Sequence, residues 1–376
     1  MTRKPDSFMV AASALWTGAL ILPFSQSEKT ALWDFGLSGP LAVICLLTCL
    51  WLMKKNRLSG YCKSALLLGL SIVVSVSVAF NIAVLQGQTG PGFWAMILAV
   101  WAMVWRGIDQ LANIKTLNRK IATAINLIIP VLFGCWLFFL WQIIVTGFQV
   151  PQVLLPPPSM IWARFITSLD ILGADFYQTF MKAVLAGYVL GSGTGFVIAI
   201  AVDRSDFLKK GMLPVGNLIS ALPIVGIAPI MVMWFGFDWQ SKAAVVVIMT
   251  FFPMLVNTVS GLGASGKLER DLMNSYGAGY WQTLFKLRLP AAMPFVFNAL
   301  KINSTLALIG AIVAEFFGTP IVGMGFRIST EVGRMNVDMV WAEILMAAIA
   351  GTVFYGLMAL LERMVTFWHP SYRHKN

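Results

Sequence analysis

The sequence predicts an all-α integral membrane protein with about ten transmembrane helices. Hydrophobic residues make up 58% of the 376 residues and charged residues only 11%, whereas a soluble protein carries roughly 25% charged residues. The mean hydropathy is +0.79. Long apolar runs recur along the whole chain, and a helix needs roughly 20 apolar residues to cross the hydrocarbon core of a bilayer.

Ten apolar runs are candidate transmembrane helices. They fall at about 8–24, 38–53, 64–86, 92–105, 124–147, 179–202, 211–235, 242–261, 291–316 and 339–362. The second and fourth runs are short, so their edges stay open. With the N-terminus in the cytoplasm, most Lys and Arg residues fall in cytoplasmic loops, as the positive-inside rule requires. We therefore expect both termini in the cytoplasm, and the net charge of +11 indicates membrane orientation and not nucleic-acid binding.

The chain divides into two predicted parts. Residues 1–122 form a four-span N-terminal extension, and residues 123–376 form a six-span block with a long outer loop at 148–178. Pro156–Pro158 stiffen that loop, and a helix from Ser159 to Leu169 is expected at the membrane interface. For the extension, a partner site, a lipid contact and a stabilising collar are all open.

The loop at 262–294 concentrates charge between two apolar runs. Apolar residues recur in it at helical spacing, first at Leu268, Leu272, Met273 and Tyr276, then at Trp281, Leu284 and Phe285, with Lys286 and Arg288 on the opposite face. Gly277–Gly279 ends the first helix, and Pro290 and Pro294 are expected to close the loop. The pattern predicts a helix–turn–helix at the membrane surface that meets a partner.

Two glycine patterns imitate nucleotide-binding motifs. Residues 261–267 fit the first seven positions of a P-loop, but Leu268 stands where Mg²⁺ coordination needs Ser or Thr, and a membrane helix precedes in place of a β-strand. Gly187, Gly191 and Gly195 lie four apart in an apolar run, a spacing that lets membrane helices approach closely. We therefore expect no ATP site here and assign the three glycines to helix packing.

Polar side chains inside apolar runs are candidates for function, because they cost free energy in a membrane. Glu315 lies near the outer end of the ninth run, and two interpretations have equal weight. It lines a route or holds an outer gate, or it hydrogen-bonds the glycine-rich loop that follows. Lys301, Asn298 and Asn303 are interpreted as snorkelling or interhelical hydrogen-bonding residues, and Asn257 lies in the eighth run.

No catalytic constellation is recognisable in the sequence. The two histidines, His369 and His374, lie in the C-terminal tail, and the four cysteines form no Cys-x-x-Cys pair. Motifs that bind zinc or supply a nucleophile with its base are also missing. The sequence therefore predicts neither an enzyme nor a metal or cofactor site.

Residues 123–376 resemble the permease subunits of type I ABC importers, the binding-protein-dependent transport components of the bacterial inner membrane. These permeases share an inner loop in which Glu-Ala-Ala is followed by a glycine and later by an apolar–Leu-Pro ending. The matching residues here are Asp271, Leu272 and Met273, then Gly277 and Ala278, then Leu289 and Pro290. Asp271 keeps the acidic charge, while Leu272 and Met273 replace small residues. The resemblance implies that these seven residues couple the chain to a separate ATPase.

The resemblance narrows to the nitrate, sulfonate and taurine branch, which also includes carriers of thiamine-precursor pyrimidines. The matching segments are Leu154–Pro158, Leu222–Pro229, Trp234–Gly236, Phe252–Thr258, Val313–Glu315 and Gly323–Gly325. The core match covers about 150–362, and the extension falls outside it. Pro223, Pro229 and Asn257 join Glu315 as candidates for the translocation path or gate.

The resemblance also implies an assembly. Two permease subunits, taken as a homodimer, form the path in the bilayer, and ATP-binding cassette ATPase subunits dock under the 268–288 loop. An extracytoplasmic binding protein delivers the substrate, and ATP is bound by the partner subunit. The substrate stays open within a class of sulfonates, taurine, nitrate and pyrimidine precursors. Arg164, Arg327 and Arg334 in the outer parts are a weak indication of an anion.

Two other functions compete with this one. A secondary transporter driven by an ion gradient needs no ATPase, but the apolar runs hold few carboxylates for ion coupling. A membrane enzyme or sensor, with residues 1–122 as the sensing part, lacks catalytic residues. A permease pair made of two unlike chains also stays open.

Overall fold

The computed structural model describes residues 6–25, 32, 38–54, 59–82, 88–114, 118–220, 222–318 and 321–368. These residues are mostly helical. Within them the only strand-like pairing is one isolated antiparallel bridge between Ser25 and Thr89. The predicted all-α membrane class is confirmed.

The helices are numbered in chain order. The first six are α1 (Ser7–Ile21), α2 (Ser38–Lys54), α3 (Gly60–Asn81), α4 (Pro91–Ala112), α5 (Arg119–Gly147) and α6 (Pro158–Thr167). Then α7 (Leu169–Phe176), a π-helical segment (Tyr177–Val184) and α8 (Leu185–Arg204) form one continuous helix. Next come α9 (Asp206–Ser220), α10 (Ile224–Phe235), α11 (Trp239–Gly263) and α12 (Lys267–Ser275). A second continuous helix contains α13 (Tyr280–Thr283), a π-helical segment (Leu284–Arg288) and α14 (Leu289–Glu315), and it is followed by α15 (Met324–Gly333) and α16 (Val337–Val365).

The helices agree with the predicted apolar runs in position. Among the described residues, 7 helices are long and apolar enough to cross a membrane, and α1, α2 and α10 are shorter apolar helices. Every predicted run overlaps at least one of these. The number of helices that cross the membrane stays a prediction.

Two predicted runs have other bounds in the structure. The run at 211–235 is divided into α9 and α10 just before Pro223, because a proline disfavours helical backbone at the residue that precedes it. The run at 179–202 belongs to a helix that already begins at Leu169. Its first turns contain acidic residues that lower the local hydropathy, yet Asp175 is fully buried there and paired with Arg327.

The expectation that Pro290 and Pro294 close the charged loop is wrong. The helix that begins at Tyr280 continues through both prolines to Glu315. In the π-helical turn before Pro290, the Leu289 N–H donates to the carbonyl of Leu284, five residues back. This wider turn replaces the ordinary bond pattern where a proline ring would crowd it. The loop is therefore one helix, a short turn at 276–279, and the first turns of a long helix.

The chain packs as two compact units, Met1–Met160 and Ile161–Asn376. This division follows the packing of the chain and does not test function. The predicted division at residue 122, between an extension and a permease block, stays a prediction.

In the first unit, α1 packs against α2 and α4, and α3 packs against α4. The buried core includes Trp16, Phe93 and Met103. The start of α1 and the end of α4 lie together, because the Asp6 carboxylate is 2.5 Å from the Arg106 guanidinium. The two helices therefore run antiparallel along the bundle.

In the second unit, α11 packs along both α8 and α14. Gly187, Gly191 and Gly195 lie on the face of α8 that meets α11. A Cβ on Gly191 would lie 2.1 Å from Thr250 Oγ1, and a Cβ on Gly195 would lie 2.5 Å from the Phe251 carbonyl. The two helices approach to a distance that leaves no room for a larger residue at these positions.

Candidate functional site

The charged loop presents an exposed helix, α12. None of its residues is buried. Leu268, Leu272 and Tyr276 recur every four residues and are 84%, 56% and 82% exposed. Asp271 is also exposed, and Met273 is half-buried. Large apolar side chains that share one face of an exposed helix are typical of a surface that docks into a partner's groove.

The turn after α12 depends on a glycine in the left-handed region. Gly277 has φ +67°, and its N–H donates to the Asn274 carbonyl (2.9 Å). The Ala278 N–H donates to the Met273 carbonyl (3.0 Å), which satisfies the end of the helix as in a Schellman motif. A Cβ on Gly277 would meet no atom within 4 Å. The constraint at this position therefore lies in the backbone angle alone.

Arg288 connects the loop to two other helices. Its NH1 and NH2 groups donate to the two carboxylate oxygens of Asp203 at the end of α8, each at 2.7 Å. Its Nε donates to the Leu262 carbonyl at the end of α11 (3.0 Å). The Tyr280 hydroxyl lies 3.3 Å from the same Asp203 carboxylate, and the Arg204 guanidinium lies over the Tyr280 ring. We call this group, Asp203, Leu262, Tyr280 and Arg288, the loop end.

Apolar packing lies beneath the loop end. Leu262, Leu284 and Ala292 are buried in one cluster. A Cβ on Gly261 would lie 3.0 Å from the Ala292 Cα, so the end of α11 and the start of α14 are in close contact. Leu289 and Pro290 occupy the first turn of α14 and are half-buried. The start of α14 is thus held firmly, while α12 projects from it.

The other end of α14 carries a buried carboxylate. Glu315 is 2% exposed. It accepts hydrogen bonds from the Thr179 hydroxyl (2.8 Å) and from the Gly325 N–H (2.7 Å). Thr179 in turn accepts from the Met324 N–H (2.8 Å). The bond from Gly325 is the contact that the second interpretation of Glu315 requires, in which the carboxylate shapes the glycine-rich loop.

A second carboxylate fixes the same loop. Asp175 is fully buried, accepts from the Gly323 N–H (2.7 Å) and pairs with Arg327 (2.8 Å). The hydrogen bond to Asp175 raises the pKa of the Arg327 guanidinium. Gly323 has φ +145°, and a Cβ there would lie 2.8 Å from the Glu315 carboxyl carbon. We call this group, Asp175, Thr179, Glu315, Gly323, Gly325 and Arg327, the carboxylate end.

The arginines that indicated an anion are all engaged by carboxylates. Arg327 pairs with Asp175, Arg334 pairs with Glu331 (3.1 Å), and Arg164 pairs with Asp338 (3.5 Å). Their charges are therefore compensated within the chain. They no longer indicate the charge of a substrate.

Polar groups within the helices make the expected interhelical contacts. The Asn303 amide donates to Ser192 Oγ (2.9 Å) on α8 and to the Thr250 carbonyl (2.7 Å) on α11. Lys301 on α14 pairs with Glu362 on α16 (2.6 Å). Both residues thus join helices, whereas Asn298 is exposed.

The remaining path candidates lie apart from these groups. Asn257 donates to the Pro253 carbonyl in its own helix (2.8 Å). Pro223 caps the start of α10, and Pro229 lies inside it. An apolar cavity of about 150 Å³ lies beside α10, and Ile224, Met249 and Leu306 are among its lining residues. The assignment of Asn257, Pro223, Pro229 and Glu315 to a path or gate stays a prediction.

Several residues of both ends carried no recognisable signal in the sequence. Asp175, Thr179 and Asp203 belong to no motif, and Arg288 counted only as part of a basic face. The one available clue was the presence of acidic residues in an otherwise apolar helix, because such residues are costly unless paired.

Comparison with known proteins finds a family model that matches much of the second unit. Residues 187–367 match the family model described as binding-protein-dependent transport system inner membrane component. This range contains the loop end, α12 and Glu315, while Asp175 and Thr179 precede it.

The relatives found by sequence comparison are named as transport permeases. A probable ABC transporter permease protein of Haemophilus influenzae is 29% identical over 242 residues, which are 64% of this chain and 98% of the relative. The riboflavin transport system permease protein of Chloroflexus aurantiacus is 28% identical over 261 residues, covering 69% of this chain and 96% of the relative. The formylaminopyrimidine transport permease protein of Halalkalibacterium halodurans is 29% identical over 246 residues, covering 64% and 96%. Each relative is matched over nearly its whole length, and roughly a third of this chain lies outside each match.

Proposed function

Because residues 187–367 belong to the family of binding-protein-dependent transport system inner membrane components, we propose that this chain is the permease subunit of an ATP-driven importer. The observation that supports coupling most is α12, an exposed helix with an apolar face. This helix is joined through a four-residue turn to a helix base that contacts α8 and α11. Such an arrangement suits a contact that passes a rigid-body displacement to the membrane helices.

The proposed partner at α12 is a separate ATPase subunit. Asp271, Leu272 and Met273 lie on α12, and Gly277 and Ala278 form its C-terminal turn, so five of the seven coupling candidates surround one surface. Leu289 and Pro290 lie at the base of α14 and act through its position. This chain then needs no ATP site of its own. Residues 261–267, which imitate a P-loop, end α11 and begin α12 with no strand before them.

The proposed substrate is a small solute delivered by an extracytoplasmic binding protein. Relatives are named for riboflavin, formylaminopyrimidine, aliphatic sulfonates, taurine and bicarbonate. We propose a substrate in the class of sulfonates, taurine, nitrate and pyrimidine precursors; nitrate is not among the solutes named for these relatives. We propose that two copies of this chain form the path, since such importers work with paired permeases.

A pair of glycine variants tests the coupling role. Gly277→Val places a β-branched residue at φ +67°, where the strain is on the order of 1–3 kcal/mol, whereas Gly279 has φ −71° and open space around it. In proteoliposomes that contain the partner ATPase and are supplied with the binding protein, we expect Gly277→Val to abolish ATP-driven uptake of a solute panel and Gly279→Val to retain it. Both variants should insert in the membrane to the same extent. Undiminished uptake by Gly277→Val would remove the coupling role.

One observation favours an ion-driven secondary transporter instead. Glu343 on α16 is fully buried and lies beside the buried carboxyl group of Asp175. Two neighbouring carboxylates repel each other when both are charged, and such a pair suits a site that binds a proton or a cation during transport. This alternative predicts uptake by the purified chain alone under an imposed proton or sodium gradient. The ATP-driven proposal predicts none.

A further inference from the structure

We infer that the Asp203–Arg288 ion pair is a positioning pair that makes α12, α8 and α11 move together. The inference rests on the proposed function and adds to it a route by which a displacement of α12 reaches two membrane helices at once. The pair acts by holding the base of the loop.

The geometry of Arg288 supports this role. Three of its nitrogens are used, two on the Asp203 carboxylate at 2.7 Å each and one on the Leu262 carbonyl at 3.0 Å. Its partners lie 85 and 26 residues away in the sequence, so one side chain joins three helices. The Asp203 and Arg288 side chains are only 2% and 14% exposed. A bidentate pair in such surroundings fixes both distance and orientation, which a single ammonium group cannot do.

The connection from α12 to Arg288 is short and helical. Only residues 276–279 separate α12 from α13, and their backbone is fixed by Gly277 and by the hydrogen bonds that end α12. From Tyr280 to Arg288 the chain is continuous helix. Tyr280 at the start of this segment also contacts the Asp203 carboxylate. A push on α12 therefore reaches the ion pair with no flexible segment between them.

Apolar packing alone would not fix the helices in one relative position. The cluster of Leu262, Leu284 and Ala292 holds the helices together, but apolar contacts are non-directional and allow sliding. The ion pair removes that freedom, because a shift of either helix breaks two charge-assisted hydrogen bonds at once.

The test measures how firmly α12 is held to the end of α8. The four native cysteines are replaced by alanine. Spin labels are placed at Phe207→Cys, three residues beyond the end of α8, and at Tyr276→Cys, the residue after α12; the two positions are 84% and 82% exposed. The distribution of the label–label distance is then recorded for the full chain in lipid nanodiscs. Arg270→Gln is the matched control, because Arg270 also lies in the loop but bonds only to carbonyls of residues 263–266.

We expect a narrow distance distribution for the unaltered chain and for Arg270→Gln. Arg288→Gln and Asp203→Asn should both broaden it, and the exchange Asp203→Arg with Arg288→Asp should narrow it again. This recovery separates a lost ion pair from a misfolded protein. A distribution that stays narrow in Arg288→Gln overturns the inference.

A second measurement separates this inference from the proposed function. In proteoliposomes that contain the ATPase partner and MgATP and are supplied with the binding protein, Arg288→Gln should lower the amount of solute taken up per ATP hydrolysed by about tenfold, with recovery in the exchanged pair. An unchanged ratio overturns the inference while the importer proposal stands. If the unaltered chain shows no ATP-driven uptake, the importer proposal fails, and the nanodisc distances still decide whether the pair holds α12.

Discussion

Carboxylates hold the structure together at both ends of α14, but they bind different partners at the two ends. At the loop end, a carboxylate binds an arginine side chain, and the neighbouring helix α12 stays exposed. At the carboxylate end, Glu315 and Asp175 bind backbone N–H groups of a glycine-rich loop and are almost fully buried. The side chains of α12 are therefore exposed beside the loop end, whereas the glycine-rich loop at the carboxylate end is held against buried carboxylates.

This difference indicates which end of α14 can move more easily. Backbone N–H groups held by buried carboxylates can move only if several hydrogen bonds break together, since each would be left without a partner. A helix held by one ion pair and a turn can be displaced as a rigid body. The carboxylate end is therefore the fixed part of the second unit, and the loop end is the part suited to a partner.

The largest expected effect comes from removing the buried carboxylate. Glu315→Ala leaves the Thr179 hydroxyl and the Gly325 N–H without their acceptor. We expect a loss of about 2–6 kcal/mol in the free energy of unfolding, because each of the two orphaned donors costs about 1–3 kcal/mol; it is measured as a lower melting temperature in detergent. Glu269→Ala, an exposed carboxylate on α12, is the control and should cost less than about 0.5 kcal/mol. Equal falls in melting temperature for the two variants would contradict the proposed difference between the two ends of α14.

A smaller effect is expected in α8, whose continuous helix joins the two ends. Gly191→Ala places a Cβ 2.7 Å from the Val247 carbonyl, whereas a Cβ on Gly193 meets nothing within 4 Å. We expect Gly191→Ala to cost about 1–3 kcal/mol through overpacking. Gly193→Ala should be neutral or stabilising by up to about 1 kcal/mol, because alanine favours helix over glycine. Melting temperatures of the two variants in the same detergent decide between these outcomes, and a destabilised Gly193→Ala would contradict the assigned packing face.

The smallest effect is expected on α12. Leu268 is 84% exposed, so Leu268→Ser removes little packing and should change the free energy of unfolding by less than about 0.5 kcal/mol. The same variant should weaken association with the ATPase subunit, because it removes apolar area from the proposed contact. Co-purification yield and melting temperature are measured together. A large fall in melting temperature would mean that α12 packs against its own chain.

The loop end could be predicted from the sequence as far as its signals are local. The spacing of Leu268, Leu272 and Tyr276 predicted α12, and Gly277 predicted the turn, since each depends on neighbours within one or two helical turns. The prediction for Pro290 was wrong because it also used local signals only. The effect of this proline depends on the π-helical turn before it, and hydrophobic spacing contains no sign of that turn.

The contacts that hold both ends could not be predicted. Arg288 and Asp203 are 85 residues apart, and Glu315 and Thr179 are 136 apart. Such pairs depend on how the helices pack, and a single sequence does not record that. Arg327 shows the consequence, because its charge indicated an anion until the structure placed it against Asp175.

The proposed contact between the exposed face of α12 and a separate ATPase can be tested most directly with a matched pair of photo-crosslinkers. Leu272 on α12 and Val332 on α15 are both 56% exposed. Leu272 precedes α14 in the chain, next to the loop end, and Val332 follows α14, beyond the carboxylate end. In the assembled complex, we predict that a crosslinker at Leu272 joins this chain to the ATP-binding subunit and that one at Val332 does not. A complex that hydrolyses ATP yet gives no crosslink from Leu272, or gives an equal one from Val332, would contradict the account.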